Sequence, residues 1–453
     1  MERAPGQLNT PRFLFDWGWR RLIWQFLPVV AMVLGALLLA RDLTGGGGTS
    51  PSPAKVDADY QARLAENINF FETRVVETND SLSYNRLTSL YLERLRLSGD
   101  VSDVRRAELA ADKGIQVAPN AYASVTAMAS VRLAQHEFTA ALALVNQADG
   151  LKPGVPETYA LRGDALMALG RYDEAGDNYR QYLDKSPGFS AFSRQAVFAE
   201  TNGNVDLAIQ FWQAAIDSTK VESPIDSAWA RVQLGNFSLT TGKLKMADEQ
   251  YATALNVFPG YPLAEAGQAR LAATRGDYKQ SAALYKTVTT KLPSPEFVAP
   301  YADVARLAGD QAEATRQASL LGAIGQLFAA NGIVNDLTLI NFKLDHGDTS
   351  SETLASAKAA YDDRPSLAAA DTYAWALYRA GNFDDAAKYS AESLRLGTKE
   401  PLYLFHAGMI ARAQGDSATA REQLSQALAI NPSFHPVHAP EAKTQLQKLA
   451  GAK

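Results

Sequence analysis

Glycine recurs along most of this 453-residue chain at a nearly constant interval. Gly170, Gly203, Gly242, Gly276, Gly309, Gly347, Gly381 and Gly415 are separated by 33, 39, 34, 33, 38, 34 and 34 residues. A period of this size is the mark of a repeat array, in which no unit can bury its apolar face alone and each must stack on its neighbours. Such arrays build long surfaces for holding another macromolecule. The period therefore constrains architecture tightly and chemistry hardly at all.

The unit from Pro156 to Phe189 is the best formed. Glu157–Leu169 contains good helix formers with a small Gly163 in the middle, and Gly170 ends it. Tyr172–Lys185 carries Ala175, Tyr179 and Tyr182 at spacings of three and four, which places them on one helical face. Pro187 then opens the next unit because it cannot continue a helix. Two helices of about 14 residues joined by a tight turn make a helical hairpin, and Gly163 and Ala175 let the two backbones approach closely.

The order Gly163, Leu166, Gly170, Tyr172, Ala175, Tyr179, Pro187 resembles the tetratricopeptide repeat. Ala228–Tyr261 repeats it with Gly235, Gly242, Ala247, Tyr251, Ala254 and Pro259, and Pro401–Phe434 with Gly408, Ala411, Gly415, Ala420, Ala427 and Pro432. Seven units keep the frame. The resemblance implies an all-α, right-handed superhelical solenoid of about ten hairpins. Three departures from the period are expected to be structural: a longer loop over Gly99–Val104, an insertion at Lys220–Asp226, and a lengthened helix through Ala314–Asn331.

The amino-terminal region departs from this pattern. Leu22–Ala40 is a 19-residue uncharged run, long enough to cross a hydrocarbon core about 30 Å thick. Trp17, Trp19 and Trp24 suit an interfacial belt. Arg3, Arg12, Arg20 and Arg21 precede the run, whereas up to residue 59 only Arg41 and Lys55 follow it, beside Asp42, Asp57 and Asp59. That asymmetry puts the amino end in the cytoplasm and the repeats outside it. The expected organisation is a cytoplasmic tail over residues 1–21, a transmembrane helix over 22–40, a Gly/Ser/Pro-rich linker over 41–57 and the solenoid over 58–453. A cleaved signal peptide is the alternative; the run exceeds the usual length of a signal core, although Gly46 and Gly48 would permit a later cut. A bacterial inner membrane is the setting these features fit.

No residue pattern calls for an enzyme. The net charge of −5 is spread along the chain and no basic stripe suits nucleic acid. Without cysteine there is no thiol chemistry or cysteine-ligated metal. His136 and His346 read as solvated turn residues. His435 and His438 are close enough to share a metal, but the sequence offers no third ligand nearby, so no metal or other cofactor is expected. Asp384 and Asp385 open a helix and read as complements to its dipole.

The expected partners are protein or peptide segments. In the family it resembles, the first helix of each repeat lines the concave wall, and on that basis the candidate binding residues are Trp229, Asn236, Asp371, Trp375, Tyr378, Phe405, Met409 and Arg412. For Trp375 and Tyr378 the sequence leaves packing between hairpins as an equal alternative. The Lys/Asn set that clamps a carboxyl terminus in some members is not visible. Self-association into a homo-oligomer, through the helical segment Pro440–Leu449, is the competing role.

Overall fold

The computed structural model describes residues 53–219, 224–331 and 333–451, all within one compact unit, Pro53–Lys453. The run Leu22–Ala40, the tail before it and most of the linker lie outside the described residues. Among the described residues no helix is long and apolar enough to cross a membrane.

The described residues form 22 helices and no strand. Helix α1 (Pro53–Thr78) precedes ten hairpins: α2 (Ser81–Ser98) with α3 (Ser102–Val117), α4 (Tyr122–Ala134) with α5 (Phe138–Leu151), α6 (Pro156–Ala168) with α7 (Tyr172–Lys185), α8 (Phe189–Thr201) with α9 (Val205–Asp217), and α10 (Pro224–Thr240) with α11 (Leu244–Val257). The series continues with α12 (Pro262–Thr274) and α13 (Tyr278–Lys291), α14 (Pro295–Leu307) and α15 (Gln311–Ala330), α16 (Leu337–Asp345) and α17 (Ser351–Asp363), α18 (Leu367–Arg379) and α19 (Phe383–Ser393), and α20 (Pro401–Ala413) and α21 (Ser417–Ile430). Helix α22 (His438–Gly451) closes the array.

Local chemistry explains these boundaries. Prolines open α6, α12, α14 and α20, where a missing N–H costs nothing. Asp80, Asp310, Asp336 and Asp416 cap α2, α15, α16 and α21 by accepting a backbone N–H three residues on. The lengthened helix expected before Asn331 is α15. The longer loop expected after Gly99 is absent: α2 runs on to Ser98 with Gly99 as its left-handed cap, and the connection to α3 is as short as that between α6 and α7. Residues 53–57, read as linker, already belong to α1.

Within a hairpin the helices are brought together by aromatic rings laid over glycine. Tyr251 of α11 is fully buried between Gly235 of α10 and Gly267 of α12. A Cβ on either glycine would come within 2.5 or 2.3 Å of the tyrosine ring. Tyr179 of α7 occupies the same place over Gly163 of α6. One small residue per helix therefore sets the interhelical distance, and the ring fixes the stagger.

The array coils far enough that its second half stacks on its first. Leu367 N donates to the Tyr172 hydroxyl at 2.8 Å, Arg395 Nη2 to Gly170 O at 2.8 Å, and Asn431 Nδ2 to Leu239 O at 2.7 Å, across sequence separations of 195, 225 and 192 residues. Val101 and Val104 bury themselves against Ile333 and Phe328 in the same seam. Three turn glycines sit in it. A Cβ on Gly170, Gly203 or Gly242 would lie 2.1, 2.1 or 2.3 Å from the carbonyl oxygen of Pro365, Gly397 or Ile430. Gly276, Gly309, Gly381 and Gly415 have the same left-handed φ but nothing within 4 Å.

That difference is measurable. Gly203→Ala and Gly381→Ala both place a Cβ at positive φ, a strain of about 1 kcal/mol. Only Gly203→Ala also pushes the seam apart. It should lower the melting temperature further than Gly381→Ala and enlarge the radius of gyration in solution scattering; equal effects on both quantities would mean that the two halves do not stack.

Candidate functional site: the interior channel

The residue immediately after the small position of a first helix points inward. In α6 this is Asp164 and in α10 it is Asn236. Tyr179 reaches across Gly163 to donate its hydroxyl to Asp164 Oδ1 at 2.9 Å, and Arg194 of α8 grips the same carboxylate with Nε at 2.8 Å and Nη2 at 2.7 Å. Tyr251 donates to Asn236 Oδ1 at 2.9 Å, and Arg270 of α12 donates to the same oxygen. Each ladder rung thus joins an acceptor, the tyrosine of its own hairpin and an arginine from the next first helix.

These rungs line a cavity of about 1040 Å³, bounded also by Phe189, Val197, Trp229, Tyr261 and Glu296. A second cavity of about 540 Å³ lies along the seam, bounded by Tyr172, Glu200, Leu367, Glu400 and Tyr403, and it shares Asp164, Gln233 and Asn236 with the first. The two adjoin at these shared residues, as a channel within the superhelix. The larger cavity is at the top of the range of about 300–1,000 Å³ usual for small-molecule pockets.

The channel holds two carboxyl groups that bind their protons unusually tightly. Burial pushes Glu200 up to about 7, assisted by the charge of Glu400, although its carboxyl accepts from Trp212 Nε1. Burial also raises Glu400 to about 7 against the opposing hydrogen bond from Leu402 N. Sequence patterning singles out neither, because their proximity depends on the seam.

The candidate residues divide into two groups. Trp229 and Asn236 line the large cavity. Trp229 is half-buried and packs edge-on against Trp212 and Phe189, with ring centroids 5.6 and 5.8 Å away. The carboxy-terminal candidates border neither cavity. Asp371, Trp375, Phe405 and Met409 are 2, 3, 0 and 4% exposed and belong to the packed interior of the last hairpins. Truncating a ring buried to this degree usually costs about 3–5 kcal/mol through the cavity it leaves. Tyr378, half-buried, stacks on Trp375 at 4.7 Å, so packing is the alternative that the geometry gives for this pair. Arg412 is exposed.

The histidines are more engaged than their sequence context suggests. His136 is not a solvated turn residue: its Nδ1 accepts from Arg364 Nη1 at 2.9 Å across the seam, and burial together with that guanidinium lowers its pKa. His346 Nε2 lies 3.2 Å from Asp303, which raises its pKa.

At the end of the array a third group gathers. His406 Nδ1 is 2.9 Å from Asp371 Oδ2, and Trp375 Nε1 donates to Asp345 Oδ1 at 2.9 Å. His438 Nε2 is 3.3 Å from that same oxygen. Burial opposes the ionisation of Asp345, yet His438 beside it holds the carboxyl at about 2; burial likewise opposes protonation of His438, which Asp345 and Glu441 raise to about 9. The proximity of His435 and His438 noted in the sequence is a stacking contact, with centroids at 4.5 Å. His435 Nδ1 instead faces the backbone N–H groups of Val437 and His438, both at 3.3 Å.

Two stretches, residues 160–221 and 373–433, match the family model of the tetratricopeptide repeat. Among curated proteins none matches the sequence. Solved structures similar to this chain include PilW, a widely conserved type IV pilus biogenesis factor, at 17% identity and TM-score 0.37 over 45% of this chain and 92% of PilW. Yeast Tom70 aligns at 12% identity and TM-score 0.33 over 87% of this chain and 94% of its own. YrrB, a TPR protein with an unusual peptide-binding site, aligns at 19% identity and TM-score 0.29 over 42% of this chain and 95% of its own.

Glu200 generates a pH prediction. Its pKa is raised from 4.5 to about 7 on folding, so the folded state holds a proton that the unfolded chain releases. Its contribution to stability is complete below the unfolded value and is lost as the pH rises through about 7. Glu200→Gln should therefore flatten the fall in melting temperature between about pH 5 and about pH 8, and should leave the protein more stable than the parent at the upper end. An unchanged profile would place Glu200 in contact with solvent.

Proposed function

We propose that this chain is a membrane-anchored, non-enzymatic scaffold that docks protein or peptide segments of a bacterial envelope assembly in its superhelical interior. The observation that carries this reading is the channel itself. Its walls offer an aromatic anchor in Trp229 and two rungs of amide, carboxylate and guanidinium groups, at Asp164 with Arg194 and at Asn236 with Arg270. Such groups can donate to and accept from a peptide backbone, and flat rings provide contact area at small entropic cost. The two segments that match the tetratricopeptide family support the same class of work.

Anchoring through Leu22–Ala40, with the amino end cytoplasmic and the repeats outside, rests on the length of the apolar run and the arginine asymmetry around it. The self-associating alternative is the weaker reading, because α22 spends its apolar face on the last hairpin through Ala442, Leu446 and Leu449.

Val197 suits a contact test because it lines the channel yet is 40% exposed and its replacement disturbs little packing. A photoreactive side chain at position 197 should crosslink to a defined envelope protein in cells, and one at Lys245, whose side chain is 92% exposed, should not. Adducts at 245 with none at 197 would move the contact to the outer face and sink the channel reading.

Topology is checked separately. A reporter fused after Lys453 should be active only outside the cytoplasm, and a cytoplasmic signal would reverse the orientation.

A further inference from the structure

The cluster at the end of the array has the composition of a metal centre. Asp345 ends α16, His406 lies within α20 and His438 begins α22, so three separate helices of the solenoid each contribute one side chain. One ligand atom from each lies within 4.8 Å of the other two. His406 and His438 are buried, and the side chain of Asp345 is 24% exposed, which leaves a route of entry from solvent.

Two details set this group apart from an ordinary ion-pair network. First, a carboxylate only accepts, so the 2.9 Å contact with Asp371 puts a proton on His406 Nδ1, and in the neutral ring Nε2 is then a lone pair. That Nε2 is buried without a hydrogen-bond partner. Second, His438 stands between two carboxylates, with Nε2 3.3 Å from Asp345 and Nδ1 3.9 Å from Glu441, and neither contact has hydrogen-bond geometry. A buried imidazole nitrogen with nothing to bond costs free energy unless something else occupies the lone pair. An Asp–His arrangement that orients the ring and raises the basicity of its far nitrogen is the usual support of a metal-ligating histidine.

We propose that Asp345, His406 and His438 bind one divalent transition-metal ion of the zinc class, which clamps the last hairpin layers to the closing helix. Two imidazoles and one carboxylate suit zinc and its neighbours; magnesium and calcium prefer all-oxygen sets. Bonds of about 2.0–2.2 Å in a tetrahedral site require the ligand atoms to draw together from their present spacing. Asp371 acts as a positioning residue by holding the His406 ring. The stacking of Trp375 on that ring, with centroids 4.1 Å apart and planes 15° off parallel, fixes it from the other side.

The test uses the purified full chain stripped with a chelator and titrated with Co²⁺, then with Zn²⁺ in competition. One equivalent of Co²⁺ should produce the intense visible absorption of a low-coordinate site, Zn²⁺ should displace it, and the melting temperature should rise with bound metal. His406→Asn and His438→Asn should abolish the spectrum, with His136→Asn as a control that keeps it. Should the buried variants fail to fold by circular dichroism, Asp345→Asn, at the partly exposed ligand, decides the matter by the same loss. Asp371→Asn should retain one site with affinity lowered roughly 10–100-fold. Absence of saturable binding by the parent chain, or a spectrum that survives Asp345→Asn unchanged, overturns the site; full-strength binding by Asp371→Asn overturns the positioning role.

Discussion

Backbone meeting backbone at Gly170, Gly203 and Gly242 is the contact on which the rest of the structure depends. Those turns already need a left-handed residue to pass from one helix to the next. The absence of a side chain then serves a second end, because the carbonyls of Pro365, Gly397 and Ile430 occupy the space where a Cβ would stand. An open spiral becomes a coil stacked on itself. The seam cavity, the raised proton affinity of Glu200 and Glu400 and the Arg364–His136 contact all arise from that stacking.

Inside the helices a different use of glycine operates. At Gly163, Gly235 and Gly267 the conformation is helical and the requirement is room for a tyrosine ring. The ring of Tyr179 or Tyr251 delivers its hydroxyl to the inward-facing Asp164 or Asn236, so the interaction that sets the helix spacing also builds the channel wall. Packing and the polar lining are thereby coupled in these two hairpins. Toward the end of the array the tyrosine gives way to Leu424 over Gly408, and the inward position is taken by Trp375 and Met409. The interior there is filled with side chains and the polar channel ends.

The hairpins are legible in the sequence because their signals are local: glycine at the turn, proline at the next start, apolar residues at helical spacing. Trp229 and Asn236 are legible for the same reason, since the inward position is fixed within one helix. Trp375 and Phe405 look identical by that criterion, yet they are buried because α22 and Phe434 cover them, and such coverage is set by the path of a later segment through space. Asp345 and Asp371, the acidic members of the histidine cluster, are out of reach for a related cause. Asp345 stands far from His438 in the chain, as Asp371 does from His406, and each pair meets only because successive hairpins stack. The helix start at Pro53 escapes a reading of the sequence because its composition, rich in proline and serine just upstream, resembles a tether.

The stacked seam has a topological consequence. A groove open along its length can be entered sideways by any loop of a folded protein. A coil whose second turn rests on its first offers no lateral slit where the turns touch. A chain lying inside must then be threaded from an end, or else the contacts of Tyr172, Arg395 and Asn431 must part to admit it. The first route selects for segments with a free terminus; the second links the rate of capture to the strength of the contacts that hold the seam shut.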